Sequence, residues 1–311
     1  MAIKNNAWMM LLLLVSGSAV AQQEETSGID FYGRANVSLQ SNDNGDGSDT
    51  ELESNSSRVG VKGWQRLNDD LDVIFQLEWQ VDLTDLGGDD NLKSRNQFIG
   101  LRGNFGELTV GRRDTVLKTM QGDIDQFSDY EADVKALFEG ENRLNNTISY
   151  YSPSFANVRF ASSIILSEGD TQDDGYSLAV TYGDTKLKAT PYYFGAAMDR
   201  DVDGYDIERL VGYTKVADTM FGLMWQQEQA VDGTNEADGF VASVKQDIGQ
   251  FSLKAQYQMM SFTAGDDDSI ALGVDYHFTK ETRVYVWYTG RDLDTRDAEQ
   301  SYVAVGIRHS F

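Results

Sequence analysis

Apolar residues recur along this chain at every second position rather than every third or fourth. From Ile29 to Gln40 the odd positions are apolar or Gly (Ile29, Phe31, Gly33, Ala35, Val37, Leu39), and the even ones are polar or Tyr. Leu71, Val73, Phe75, Leu77, Trp79, Val81 and Leu83 alternate with Asp72, Ile74, Gln76, Glu78, Gln80 and Asp82. Phe251 to Met259, Ile270 to Phe278 and Val303 to Ile307 repeat the pattern. Successive side chains of a strand point to opposite faces, so each segment carries one apolar and one polar face. Sixteen such segments can be traced: 28–41, 55–66, 70–84, 93–104, 106–114, 143–152, 157–166, 174–183, 186–195, 207–217, 219–228, 237–247, 250–261, 268–278, 282–291 and 300–311. Their connections alternate in length. Short ones fall at 68–69, 104–105, 183–185, 217–218, 248–249 and 280–281. Long ones, rich in Gly, Asp and Asn, fall near 42–54, 84–92, 115–142, 167–173, 196–206, 229–236, 262–267 and 292–299.

This rhythm predicts an all-β chain. A soluble sandwich would seal its apolar faces against each other. A membrane barrel turns them to lipid and keeps the polar faces for its lumen. Segments of about ten residues suit a tilted membrane strand better than the globular norm of five or six. An even strand count closes the sheet and leaves no unpaired edge in hydrocarbon. The predicted fold is therefore a 16-stranded antiparallel transmembrane β-barrel, with short periplasmic turns and long outer loops. A barrel of that size is too wide for side chains to fill and holds water. Trp79, Tyr150, Tyr151, Tyr182, Trp225, Tyr257 and Tyr288 suit interfacial girdles.

Composition narrows the picture. The 311 residues carry a net charge of −24, no Cys and two His. Missing Cys removes disulfides and thiolate chemistry. The strong negative charge argues against nucleic acid as a partner. Lys4, the apolar run Ala7–Val15 and the ending Ala19-Val20-Ala21 read as a cleaved export signal over 1–21, followed by a single domain over 22–311.

Several ordered segments resemble the general porins of Gram-negative outer membranes. They are Tyr32-Gly33-Arg34, Ser56-Ser57-Arg58-Val59-Gly60-Val61-Lys62-Gly63 and Ile74-Phe75-Gln76-Leu77-Glu78. Ser94-Arg95-Asn96-Gln97-Phe98-Ile99-Gly100-Leu101, Phe105-Gly106-Glu107-Leu108-Thr109-Val110-Gly111-Arg112 and Asn146-Thr147-Ile148-Ser149-Tyr150-Tyr151-Ser152-Pro153-Ser154-Phe155 follow. The chain ends on Val305-Gly306-Ile307-Arg308-His309-Ser310-Phe311, with the terminal Phe of that family. The resemblance implies an outer-membrane homotrimer that passes ions and small hydrophilic solutes by passive diffusion. It also implies a third loop folded into the barrel to narrow it. Lipid and lipopolysaccharide would surround such a barrel.

Residues 115–142 form the longest connection, and a structureless loop of that length is usually functional. Asp123, Asp125, Asp129, Glu131, Asp133, Glu139 and Glu141 stand there against only Lys118 and Lys135. Asp123, Asp125, Asp129, Glu131 and Asp133 are the candidate acidic side of a constriction. Alternation turns Arg34, Arg58, Lys62 and Arg143 inward as the candidate basic side. Arg95 joins them by its match to a constriction arginine of the family, although alternation alone groups it with Ile99 and Leu101. Arg112 shares parity with Leu108 and Val110 and suits a loop or subunit contact. Opposed fixed charges across a narrow passage orient water and set ion preference, and the acidic excess predicts cations.

Smaller signals complete the reading. Residues 42–53 space like a calcium loop, with Asn42, Asn44, Asp46 and Glu53 as candidate ligands, but lack flanking helices. No other cofactor is expected. A substrate-selective channel of the same fold stands as the alternative. An outer-membrane hydrolase would need a nucleophile, a base and an orienter together, and His277 and His309 lack an evident Ser partner. A soluble exported β-protein is the remaining alternative.

Overall fold

The computed structural model describes residues 26–45, 47–85, 91–167 and 174–311. The expected export segment 1–21 lies outside them, as does Asp46. The strands are β1 (Ser27–Asp43), β2 (Ser48–Ser54), β3 (Arg58–Asn68), β4 (Leu71–Val81), β5 (Leu92–Gly103), β6 (Gly106–Asp114), β7 (Arg143–Tyr151) and β8 (Val158–Ile165). They continue as β9 (Gly175–Tyr182), β10 (Tyr192–Val202), β11 (Tyr205–Val216), β12 (Thr219–Ala230), β13 (Ala237–Ile248) and β14 (Phe251–Phe262). β15 (Gly265–His277), β16 (Thr282–Leu293) and β17 (Ala298–Ser310) complete the set. Neighbours in sequence pair antiparallel, and β17 returns to β1. β2 and β3 both pair with β1 and act as two halves of one strand, so the closed barrel counts sixteen.

Alternation places the two faces. On β14, Phe251 and Leu253 are exposed while Ser252, Lys254, Gln256 and Gln258 are buried. β17 exposes Val303, Val305 and Ile307 and buries Tyr302 and Ala304. Nearly every strand exposes such an apolar row on the outside of the closed sheet. A surface of that kind requires hydrocarbon, because water would leave it unstable and prone to association. Closure is fastened at the terminal Phe. The Gly33 amide donates to the Phe311 carbonyl at 2.9 Å, and the Phe311 amide returns the bond to Gly33 at 3.1 Å. A Cβ on Gly33 would overlap the Phe311 ring, so only glycine lets the ring lie on β1.

Bulges shift the alternation where charge enters the lumen. Between the pairs Val37↔Ser54 and Arg34↔Arg58 the second strand holds one residue more than β1. The extra residue lies in Asn55–Ser57, where Ser56 adopts φ 50°. Buried polar side chains stitch this gap: Asn36 donates to the Asn55 carbonyl at 3.1 Å, and Asn55 donates to Ser38 Oγ at 2.8 Å. A second bulge lies in β5. Leu77↔Gln97 and Trp79↔Ser94 leave Arg95 and Asn96 together opposite Glu78. A bulge re-aims side chains, and here it turns Arg95 to Glu78 although Ile99 and Leu101 stay exposed.

A third bulge corrects the alternation used for Arg143. The pairs Gly111↔Thr147 and Arg113↔Leu144 show the extra residue at Asn145–Asn146, so parity does not carry from Ile148 back to Arg143. Arg143 stands instead opposite Asp114 in the ladder. The expected strand 186–195 also requires correction: β10 spans Tyr192–Val202 and turns tightly into β11 at Asp203–Gly204. Several expected long outer loops are likewise strand. β14 and β15 meet across Thr263 and Ala264 alone. Beyond the apolar band both faces of a hairpin are polar, so the alternation that marks a strand disappears while the ladder continues.

Candidate functional site

The connection 115–142 opens with a short helix, α1 (Val116–Met120), capped by Thr115, whose hydroxyl accepts the Lys118 amide at 3.3 Å. Its apolar residues then run along one wall. Val116, Met120, Ile124, Val134 and Phe138 cluster with Tyr193, Val211, Tyr213, Met224, Val241 and Met260 of β10 to β14. Phe127, Tyr130 and Ala132 cluster with Tyr285, Trp287, Tyr302 and Ala304. Those strand residues have the parity opposite to the exposed apolar rows. Their apolar character is explained by the loop that covers them.

Polar bonds fix the same segment. Arg209, fully buried, donates to Gln226 Oε1 at 2.6 Å, Glu141 Oε1 at 2.7 Å, Gln121 Oε1 at 2.9 Å and the Glu139 carbonyl at 2.9 Å. Gln256 accepts the Gln126 amide at 2.8 Å and donates to the Ala132 carbonyl at 2.9 Å. Arg291 bonds Glu131 through its carboxylate at 3.1 Å and through its carbonyl. Sequence reasoning missed Arg209 and Arg291. The signal for Arg209 was present: a lone guanidinium in the row Ile207, Val211, Tyr213, which alternation alone reads as a second apolar face.

The sequence-predicted residues divide into three groups. Arg34 and Arg58, opposite each other on β1 and β3, both reach Asp129 Oδ2, at 2.6 and 2.9 Å. Two like charges side by side on neighbouring strands repel, and Asp129 is the counter-charge that makes the pair tolerable. Burial pushes the Asp129 carboxyl up, but Arg58 and Arg34 outweigh it and hold the group below the usual carboxylate range. Arg95 bonds Glu78 at 2.7 Å and Gln80 at 3.2 Å. Arg143 bonds Asp114 at 2.9 Å, and Lys62 lies 5.6 Å from the centre of the Tyr32 ring.

The other acids are engaged elsewhere. Asp125 is turned into the loop itself, accepting the amides of Phe127 at 2.8 Å and Val134 at 3.1 Å. Asp133 accepts the amides of Asp129 at 2.8 Å and Lys135 at 3.0 Å. Burial raises the carboxyl pKa of both; Asp133 adds to the rise at Asp125, and at Asp133 the nearby Lys135 opposes it. Glu131 meets Arg291, and Asp123 meets Lys186 at 2.7 Å. A cavity of about 410 Å³ lies beside Asp129, lined by Glu53, Gln80, Tyr130, Glu131, Lys135 and Arg291 among others. Arg113 was also missed: it bonds Glu107 at 2.9 Å and lies between the Phe98 and Tyr151 rings, 4.4 and 4.5 Å from their centres.

Of the calcium-loop candidates, Asn42 and Asn44 are committed to protein contacts. Asn42 donates to Glu51 at 2.5 Å and accepts from Gln40 at 2.7 Å, while Asn44 accepts from Tyr302 at 2.9 Å. Glu53 lines the cavity beside Asp129. Among the described residues no group of three or more His, Asp or Glu is placed to hold a metal ion. His277 does meet a serine, Ser252, at 3.1 Å, contrary to the expectation that it lacks one, because the β14–β15 pairing brings the two strands together; Ser252 donates in turn to Asp247 at 2.7 Å, and His309 meets Thr282 at 2.8 Å.

Comparison with known proteins agrees with this architecture. A family profile described as Gram-negative porin matches residues 7–296. The major outer membrane protein P.IB of Neisseria meningitidis serogroup A is 30% identical over 82% of this chain and 83% of its own length. The P.IB protein of Neisseria sicca is 32% identical over 84% of this chain and 86% of its own. Among solved structures, the anion-selective porin from Comamonas acidovorans superposes with a TM-score of 0.77 at 20% identity, covering 92% of this chain and 100% of that one. The trimer form of OmpT from Vibrio cholerae gives 0.71 at 18% identity, with 92% and 100% covered. The closed barrel, its apolar exterior and these likenesses lead to one conclusion: the chain belongs to the Gram-negative porin family and is a channel protein of the outer membrane.

Proposed function

We propose that residues 115–142 narrow a water-filled lumen and that the resulting passage prefers cations. The observation that carries this is the double bond of Asp129 to Arg34 and Arg58. It joins the acidic connection to β1 and β3, beside the β16–β17 residues on which Phe127, Tyr130 and Ala132 rest, whereas the first part of the connection rests on β10 to β14. Four other basic side chains are paired, Arg95 with Glu78, Arg143 with Asp114, Arg209 with Glu141 and Arg291 with Glu131, while Arg308 and Lys135 also stand near Asp129. Paired charges contribute little net field. The surplus is then the acid of the hairpins at the barrel end opposite the termini, such as Asp201, Asp203, Asp232, Asp266, Asp292 and Asp294. An acidic mouth concentrates cations and lowers the barrier for their entry. The Comamonas porin is anion-selective, but at 20% identity that likeness extends to fold and not to charge pattern.

Small hydrophilic solutes and ions are the permeants of this reading, with lipid and lipopolysaccharide against the apolar exterior. No cofactor takes part. The assembly is a homotrimer, a proposal supported by the trimer form of the Vibrio barrel. A reversal-potential measurement in a salt gradient tests the selectivity. Cation preference is expected, and a potential of the opposite sign rejects it. Sedimentation of the detergent-purified protein tests the trimer, and a monomer under mild detergent rejects that part.

A further inference from the structure

We infer that the connection 183–191, at the barrel end that carries both termini, is a strut that holds residues 122–124 of the third loop in place, acting through Lys186 and Tyr213. The inference rests on the constriction reading above and adds a positioning element to it. Alternation predicts only a turn at 183–185 there, yet β9 ends at Tyr182 and β10 begins at Tyr192. The nine residues between are an ordered platform. Asp184 accepts the amides of Lys186 at 2.9 Å, Lys188 at 2.7 Å and Ala189 at 2.6 Å. Thr190 accepts the Asp184 amide at 3.1 Å. Leu187, at φ 53°, packs against the cluster that holds the loop's Met120 and Ile124. A side chain that cages its own backbone in this way presets the turn and lowers the entropy lost when it engages a partner.

Two contacts join platform and loop. Lys186 Nζ reaches both carboxylate oxygens of Asp123, at 2.7 and 2.8 Å. The buried Tyr213 hydroxyl donates to the Thr185 carbonyl at 3.0 Å and accepts the Asp123 amide at 3.3 Å. Gly122, at φ +63°, lies so close to that hydroxyl that a Cβ would overlap it. One phenol thus bridges a turn at one end of the barrel to a loop that enters from the other. The ring itself is held by stacking on Tyr193, centroids 4.7 Å apart, and Tyr193 OH donates to the Met120 carbonyl at 2.6 Å. Lys186 is largely and Asp123 partly exposed, so their ion pair alone is weak, whereas the Tyr213 hydroxyl is shielded and its loss strands a loop amide.

Single-channel recordings of the full-length protein in planar bilayers test the strut. K186M should raise the rate of brief closures about two- to fivefold, the range an exposed ion pair supports. Y213F, which keeps the ring, should raise it further. The exchange K186D/D123K should restore the wild-type closure rate, because it rebuilds the pair with the same net charge. Wild-type closure rates in both K186M and Y213F would overturn the inference, provided deletion of 120–135 still changes conductance. A K186M channel that shifts only its reversal potential, with no rescue by the exchange, would also overturn it and make Lys186 an ordinary lumen charge. If deletion of 120–135 leaves conductance unchanged, the constriction reading itself fails.

Discussion

Arg209 carries more of the third loop than any residue that alternation singled out. Its guanidinium is fully buried and satisfied by Gln226, Gln121, Glu141 and the Glu139 carbonyl. Removing one member of a buried ion pair leaves the other uncompensated, at a cost of about 3–5 kcal/mol. R209M should therefore loosen residues 139–141, read as faster proteolysis within 115–142 while the barrel stays resistant. At Asp129 the expected change is electrical. D129N removes the shared counter-charge of Arg34 and Arg58, so the reversal potential should move toward anions, and an unchanged potential would place Asp129 off the ion path. The carboxyls also differ in their response to acid. Asp129 titrates below its unfolded value, so its contribution is present above about pH 4 and is lost only as pH falls through the lower folded value. Asp125 and Asp133 titrate above theirs, so ionising them costs stability and mild acid favours the folded loop. Thermal unfolding between about pH 7 and pH 5 should accordingly show no loss of stability from these three groups.

At the scale of strands, alternation was readable wherever one face meets hydrocarbon and the other water. It failed where a second rule intervened. The bulge at Arg95–Asn96 reverses parity within β5, and no composition signal marks it; only the resemblance to the family's constriction arginine pointed to Arg95. The bulge at Asn145–Asn146 does the same to Arg143, with Asn146 at φ 52° the one local hint. β10 was misplaced because Ala196 and Arg200 dilute its outward apolar row, while the ordered turn before it mimics strand in composition. The third loop's length and acidity were legible, but its contacts were not. Asp125 and Asp133 cap backbone amides, and nothing in a run of acids distinguishes a cap from a lumen charge. Strand closure offers its own check. Valine at Gly33 would displace the Phe311 ring from β1. G33V should lower the refolding yield in detergent far more than V37A on the same outward row.

For the molecule as a whole, exposed rows such as Val303, Val305 and Ile307 on β17 are stable only against lipid, and their polar neighbours then enclose water. The natural absence of Cys makes that orientation directly measurable. Single cysteines placed at Val59, Val61 and Lys62 of β3 can be exposed to a charged, membrane-impermeant thiol reagent during conductance recording. K62C should react and lower the conductance, while V59C and V61C should react only with a lipid-soluble maleimide. Rapid aqueous labelling at Val59 and Val61 with none at Lys62 would contradict a barrel with a water-filled interior and an apolar coat.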